Sequence, residues 1–322
     1  MNRKSALNRI LTAGGLVAAA GLVALTFPLQ AGAQTSIGSE GIGESLPEAS
    51  DPYAQLPATI TLTGIVRDFR ERSVDNGHPD FERRPDGGFG HYMGNVAAEL
   101  GPDEKPVFTG AGKKVFSQWK NAQGRPIHPS LYDASLGDIA GSYGSSDKGG
   151  IQSGDSFRQW FKDIPGVNSS MALPITLRRQ PGSNLYTFDD RQDPEYSNKG
   201  GFFPVNGKLF GNSSGDNKNF HFTYELSTVF QYEEGSGQSF TFNGDDDVWV
   251  FIDGQMVIDI GGVHSRVEQT VDLDRLDWLE DGRKYTLHFF FAERHRTQSN
   301  FRIETTLNLR NAELPTTGAM FD

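Results

Sequence analysis

Apolar and polar positions alternate along much of this chain, and the alternation predicts β-strands. In Thr59 to Val66, Ile60, Leu62 and Val66 fall on one face and the threonines on the other, the pattern of a half-buried strand. Phe220, Phe222, Tyr224 and Leu226 alternate with His221, Thr223 and Glu225, and Phe240 and Phe242 repeat the pattern. Val248 to Ile252 is apolar at every position, as expected of a strand covered on both faces. Asp253-Gly254 predicts a hairpin turn into Gln255 to Ile260. Tyr285, Leu287, Phe289 and Phe291 line one face of a further strand, and Phe301, Ile303, Leu307 and Leu309 one face of a last. Strands at this density, separated by turn residues, predict an all-β fold, an antiparallel β-sandwich or barrel. One helix is expected over Ser156 to Ile164, where Phe157, Trp160, Phe161 and Ile164 recur at helical spacing before Pro165-Gly166. Between Asp68 and Gly150 the chain is dense in Gly, Pro, Asp and His. It reads there as long ordered loops with short helical or strand pieces, and loops of that length are usually functional.

The two ends follow other patterns. Arg3, Lys4 and Arg9 precede an apolar run from Leu11 to Leu29, and Ala31-Gly32-Ala33 follows. That order predicts a secretory signal over residues 1–33, cleaved after Ala33, and so a secreted protein, extracellular or on the cell surface, without a stable membrane span. Residues 34–56 are rich in Gly, Ser, Glu and Pro and read as a flexible linker; the globular domain is expected at 57–310 and a disordered tail at 311–322. Leu314-Pro315-Thr316-Thr317-Gly318 matches a sortase motif, but no hydrophobic or basic segment follows it, and it reads as chance. Removing the three cations of the first 33 residues from the chain's 30 basic and 41 acidic residues leaves a net charge of −14. That sign argues against nucleic acid and anionic membranes, which need basic patches. With no cysteine, disulfides, thiolate metal sites and thiol catalysis are excluded.

Candidate chemistry centres on Asn243-Gly244-Asp245-Asp246-Asp247, just before the apolar strand. Three consecutive carboxylates repel one another, and a hard cation held by oxygen would offset the repulsion; a solvated acidic turn is the alternative. Adjacent strand side chains point to opposite faces, so two neighbouring Asp residues can share one ion only where the backbone is irregular.

Asn219 to Leu226, Gly244 to Gly254 and Asp259-Ile260-Gly261-Gly262-Val263-His264 together resemble the signature of the fibro-slime domain family, as do His78 to Glu82 and Phe291 to His295. The resemblance runs from about Thr59 to Leu309. That family is similar to the wider group of protective-antigen-type lectin-like domains, which implies a β-sandwich, secretion and glycan binding. In lectin members of that group an Asp-Asp pair joined by a cis peptide binds calcium, and the ion contacts sugar hydroxyls. The resemblance places this pair at Asp245 and Asp246, with Asp247 outside the site. It gives Glu293 as a further side-chain ligand and His295 and Thr297 as backbone ligands, although the lectins carry Asn where this chain has Glu293.

Further ligand-binding candidates are His264, after two glycines, and Tyr92, His91 and His295, which lie in polar stretches and could stack on a sugar. Trp249 reads as core, and His78 and Asp80, around Pro79, as turn-fixing residues. The expected function is a non-catalytic module that binds extracellular glycans or a polysaccharide matrix with calcium as cofactor. A structural slime or matrix protein without a small ligand is the main alternative. A glycan-processing enzyme is a minor one, because adjacent carboxylates would share an ion instead of flanking a glycosidic bond.

Overall fold

The structure is a computed structural model that describes residues 51–311. The expected signal segment, most of the linker and the Leu-Pro-Thr-Thr-Gly tail lie outside the described residues. The strands are β1 (Thr59–Phe69), β2 (Tyr92–Met93), β3 (Lys113–Ser117), β4 (Ser142–Ser146), β5 (Asn168–Arg179), β6 (Tyr186–Asp189) and β7 (Phe222–Gln231). They continue with β8 (Ser239–Gly244), β9 (Asp247–Ile252), β10 (Gln255–Ile260), β11 (Val267–Asp272), β12 (Lys284–Glu293), β13 (Phe301–Thr305) and β14 (Arg310–Asn311).

Eleven strands form one antiparallel sheet in the order β10-β9-β12-β7-β1-β5-β6-β13-β8-β11, with β14 beside β7. The sheet curls until its ends nearly meet. β10 and β11 lie side by side, and the backbone N–H of Asp259 on β10 donates to the Gln269 side chain on β11 at 3.0 Å. The expected all-β antiparallel fold is present, as a nearly closed barrel. Its interior is aromatic: Phe222, Phe242, Phe289, Phe291 and Phe301 are fully buried there.

The β9 strand is covered on both faces, as its unbroken apolar run predicts. Val248, Val250 and Ile252 face the barrel core, while Trp249 and Phe251 face a second core with Phe157, Trp160, Phe161 and Phe290. The second core is roofed by the 70–165 region, which also holds the small sheet β2-β3-β4. The turn into β10 has φ of 53° at Asp253 and 78° at Gly254, the left-handed pair that a two-residue hairpin needs.

The expected helix over Ser156 to Ile164 is a correction. Only one turn forms, α1 (Gly154–Phe157), opened by a Ser153–Ser156 capping box. Beyond it, carbonyls that would extend the helix are taken by side chains. Asn168 donates to the Gln159 and Lys162 carbonyls at 3.1 and 2.8 Å, and Thr223 donates to that of Trp160 at 2.6 Å. Phe157, Trp160 and Phe161 are buried all the same, so the apolar spacing reported burial correctly and helix length incorrectly. Residues 51–56, assigned to the linker by composition, form turns fixed by an Asp51–Arg179 ion pair at 2.9 Å.

Candidate functional site

Three connections meet at one rim of the barrel: Asp245–Asp246 between β8 and β9, 261–266 between β10 and β11, and 294–300 between β12 and β13. They enclose a cleft of about 360 Å³. Asp245, Asp246, His264, His295, Thr297 and Phe89 are among its walls. Five of the eight residues singled out from sequence are thus brought together, and Glu293, Tyr92 and His91 are not wall residues. The Asp245–Asp246 and Arg296–Thr297 peptides, on facing walls, are both cis. Gly244 permits the close approach of the third connection: a Cβ there would lie 2.2 Å from the Asn300 carbonyl oxygen.

The three consecutive carboxylates have separate fates. Asp247 is fully buried and ion-paired with Arg294, Oδ2 to Nε at 2.6 Å, and its Oδ1 accepts from the Gly262 backbone at 2.6 Å. The buried Arg294 guanidinium also donates to the Gly149 carbonyl at 2.8 Å and lies over the Trp160 ring. Asp245 accepts from the Asn300 backbone N–H and, at 2.8 Å, from the Asn300 carboxamide nitrogen. Asp246 accepts only from backbone, His264 N at 3.0 Å and Arg294 N at 3.3 Å. Behind this pair, Glu293 is fully buried, with one oxygen accepting weakly from His295 N at 3.4 Å and Oε2 without any partner.

Among the described residues, Asp245, Asp246 and Glu293 make no ion pair. Burial raises the pKa of all three. For Asp246 the neighbouring Asp245 and Asp247 push it further, well above the usual carboxylate range, and for Glu293 Asp246 and Asp245 do the same. As the side chains stand, no group of three or more His, Asp or Glu among the described residues has metal-binding geometry. The donor set itself suits a hard cation: two cleft-lining carboxylates, excess buried negative charge, an orphaned carboxylate oxygen behind them and no sulfur.

Other sequence candidates divide. His264 is 9% exposed; its Nδ1 donates to the Ser265 carbonyl at 2.8 Å, which leaves Nε2 as a buried acceptor without a partner. His295 sits at the cleft wall, held through Nε2 by Glu82 at 3.3 Å. Tyr92 is a correction: it is fully buried, its hydroxyl donating to the Gly88 carbonyl at 2.7 Å, and it offers no face to a sugar. His91 is buried as well, with Nε2 on the Asp259 carbonyl at 2.9 Å. Both lie in β2 or beside it, and the isolated bridge from Tyr92 to Gly261 folds that strand against the barrel. Trp249 is core, donating from Nε1 to Asp259 at 3.0 Å. Asp80 fixes its surroundings, accepting from Gln152 N at 2.7 Å and Trp160 Nε1 at 3.0 Å.

Two residues at the site were missed by sequence reasoning. Asn300 holds both oxygens of Asp245 and is itself held, its side-chain Oδ1 accepting from Arg191 at 3.0 Å and Arg266 at 3.2 Å. Phe89 is 47% exposed at the cleft, edge-on to His295 at 4.8 Å, and is the open aromatic there instead of Tyr92. Phe89 stands three residues before Tyr92 in the same polar stretch, so the stretch was legible and the ring was not.

A second cleft, of about 330 Å³, lies between the 101–108 loop and α1. Charges at its edge are already matched, as in the Lys162–Asp103 pair at 2.5 Å.

Residues 205–317 match the model of the PA14 domain. The chain is similar to protein psiR of Dictyostelium discoideum, 36% identical over 254 residues, covering 77% of this chain and 21% of that protein. Protein psiH of the same organism is 31% identical over 260 residues, covering 80% and 31%. The chain thus spans less than a third of the length of these curated relatives. Among solved structures, the PA14 domain of the MpAFP antifreeze protein aligns over 76% of this chain and 80% of its own, at 10% identity and a TM-score of 0.22.

Proposed function

We propose that this chain is a secreted, non-catalytic surface or matrix binding module that holds carbohydrate through a calcium ion at the cleft of Asp245 and Asp246. One observation carries the reading: Asp245, Asp246 and Glu293 are buried together without a cationic partner, while the adjacent Asp247 has Arg294. A divalent cation at the cleft would supply the missing positive charge, with Asp245 and Asp246 as its ligands, backbone oxygens of His295 and Thr297 on the facing wall, and Glu293 adding charge from behind. The ion would orient sugar hydroxyls, and Phe89, exposed at the cleft, would cover an apolar sugar face. The PA14 match spans both carboxylate-bearing connections, which supports the same reading, and the fibro-slime-like signature agrees with it. Asp245 and Asp246 lie side by side on one wall, which favours holding an ion over flanking a scissile bond.

A glycan array probed with calcium and then with chelator tests this directly. Binding that chelator abolishes is the expected result; absence of binding under both conditions transfers the function to the matrix itself. Thermal melting tests the ion separately, since a ligand at 100 times its Kd adds about 2.7 kcal/mol. Export predicts that protein recovered from the medium begins at Gln34.

A further inference from the structure

The small sheet carries a surface that the cleft does not use. Phe116 on β3 is 72% exposed, more than any other large apolar side chain among the described residues, and Tyr143 on β4 is 40% exposed. Leu136 and Ile139, leading into β4, are 53% and 57% exposed. Trp119 packs against Tyr143 with ring centroids 4.6 Å apart, and Lys113 Nζ lies 5.7 Å from the Tyr143 ring centre. Glycines let the rings lie down on the backbone. A Cβ at Gly144 would come within 2.4 Å of the Phe116 ring, and one at Gly141 within 2.4 Å of the Trp119 indole. Rings seated this way on solvent-facing strands are an interaction surface more than a core that failed to close.

Charge selects the partner. In a chain with an excess of acidic residues, Pro106 to Tyr132 contains Lys113, Lys114, Lys120 and Arg125 and no Asp or Glu, and β4 is uncharged. Lys114 is bound to the Gly87 carbonyl and Arg125 to Thr241. Lys113 and Lys120 are exposed, and among the described residues neither has an ion-pair partner. The nearby Asp138 is taken by Arg275 at 2.6 Å, and Asp133 caps Ser135. Hydroxyls are at hand too, Ser117 and Ser142 lying 2.9 Å apart.

We propose that the β3–β4 ribbon is a second, calcium-independent binding face, and that its ligand is an acidic polysaccharide. The exposed rings take the flat C–H faces of sugar rings, and Lys113 and Lys120 pair with carboxylates along the polymer. This face stands independently of the cleft.

The test is affinity electrophoresis of the full chain through gels containing polygalacturonate or neutral dextran, with chelator present throughout. Retardation by polygalacturonate alone, relieved by salt, is expected. The double variant Phe116→Ser/Tyr143→Ser and the single variant Lys113→Glu should each weaken it by about tenfold, as loss of a central contact does. Asp246→Asn should leave it intact, which separates this face from the cleft. Because Phe116 and Lys113 are exposed and Tyr143 is 40% exposed on an outer strand, circular dichroism of the variants should match the parent. Equal retardation by dextran, unchanged binding in the variants, or preference for phosphatidylserine vesicles over polygalacturonate would each overturn the proposal. So would a dimer that Phe116→Ser dissolves in a protein that polygalacturonate does not retard.

Discussion

Asp246 and Asp247 are sequence neighbours, both buried, and differ in how their charge is compensated. Asp247 has the Arg294 guanidinium at 2.6 Å, whereas Asp246 has two backbone N–H donors, three carboxylate neighbours in Asp245, Asp247 and Glu293, and only the through-space field of Arg294. Leaving a buried charge unpaired is costly, and replacing it by an isosteric neutral group removes the cost. Asp246→Asn is therefore expected to raise the calcium-free melting temperature, by the equivalent of about 1 kcal/mol, while abolishing any calcium-dependent rise. Retention of the full calcium response in that variant would sink the cleft assignment. At this scale the sequence showed the acidic run but could not apportion it. Arg294 and Asn300 reach Asp247 and Asp245 from some fifty positions away, and only pairing of β12 beside β9 and of β13 beside β8 brings them there. Tyr92 misled because polar neighbours in the chain said nothing of Gly261, which closes over it.

Among the elements, strands were legible and the helix was overestimated, for one physical reason. Strand burial repeats every second residue, and β9 and β12 keep that period with partners on both sides. The aromatic spacing after Ser156 could equally describe a helix face or a folded loop pressed on a core, and Asn168 decides between them. Its carboxamide accepts from Ile164 N at 3.1 Å and donates to two carbonyls, standing in for helical hydrogen bonds. Asn168→Ala should cost about 1–3 kcal/mol in urea unfolding, the scale of stranding buried backbone groups. The loss should leave far-ultraviolet ellipticity in the native state almost unchanged, because little helix is present to lose. A stability change within error would mean that the loop is held by its aromatic side chains alone.

For the molecule as a whole, buried ionisable groups set opposing pH responses. Asp68, at the end of β1, is fully buried and accepts from Asn219 and Phe210 N, both at 2.7 Å. Burial raises its pKa from 3.8 to about 7. The folded state therefore binds this proton more tightly than the unfolded chain, and its contribution is complete below pH 3.8 and lost as pH rises toward 7. His91, which burial depresses to about 3, acts with the opposite sign, stabilising at neutral pH and losing its contribution in acid. The useful readout is consequently a difference: between pH 5 and 8 the wild type should lose stability relative to Asp68→Asn, by at most about 1.4 kcal/mol per pH unit. A pH-independent difference would place the Asp68 pKa near its ordinary value. What the alternating pattern conveyed at this scale was the all-β class, and composition the negative charge; near-closure of the sheet depends on β10 and β11 meeting, which no local pattern encodes.

The position of β14 has a mechanical consequence. Asn311 accepts from the backbone of Thr63 at 2.9 Å, so β14 lies against the first half of β1 as well as beside β7, toward the Thr59 end of the sheet. The cleft lies toward the other end, where Glu293 pairs with Phe222 and Arg67 with Thr223. A load applied between an anchored terminus and a ligand in the cleft would run along the strands. Neighbouring ladders would then be sheared, with many hydrogen bonds strained at once, instead of being peeled apart one bond at a time. On the proposed binding role, that strand direction would let the domain withstand tension when a cleft ligand is pulled away.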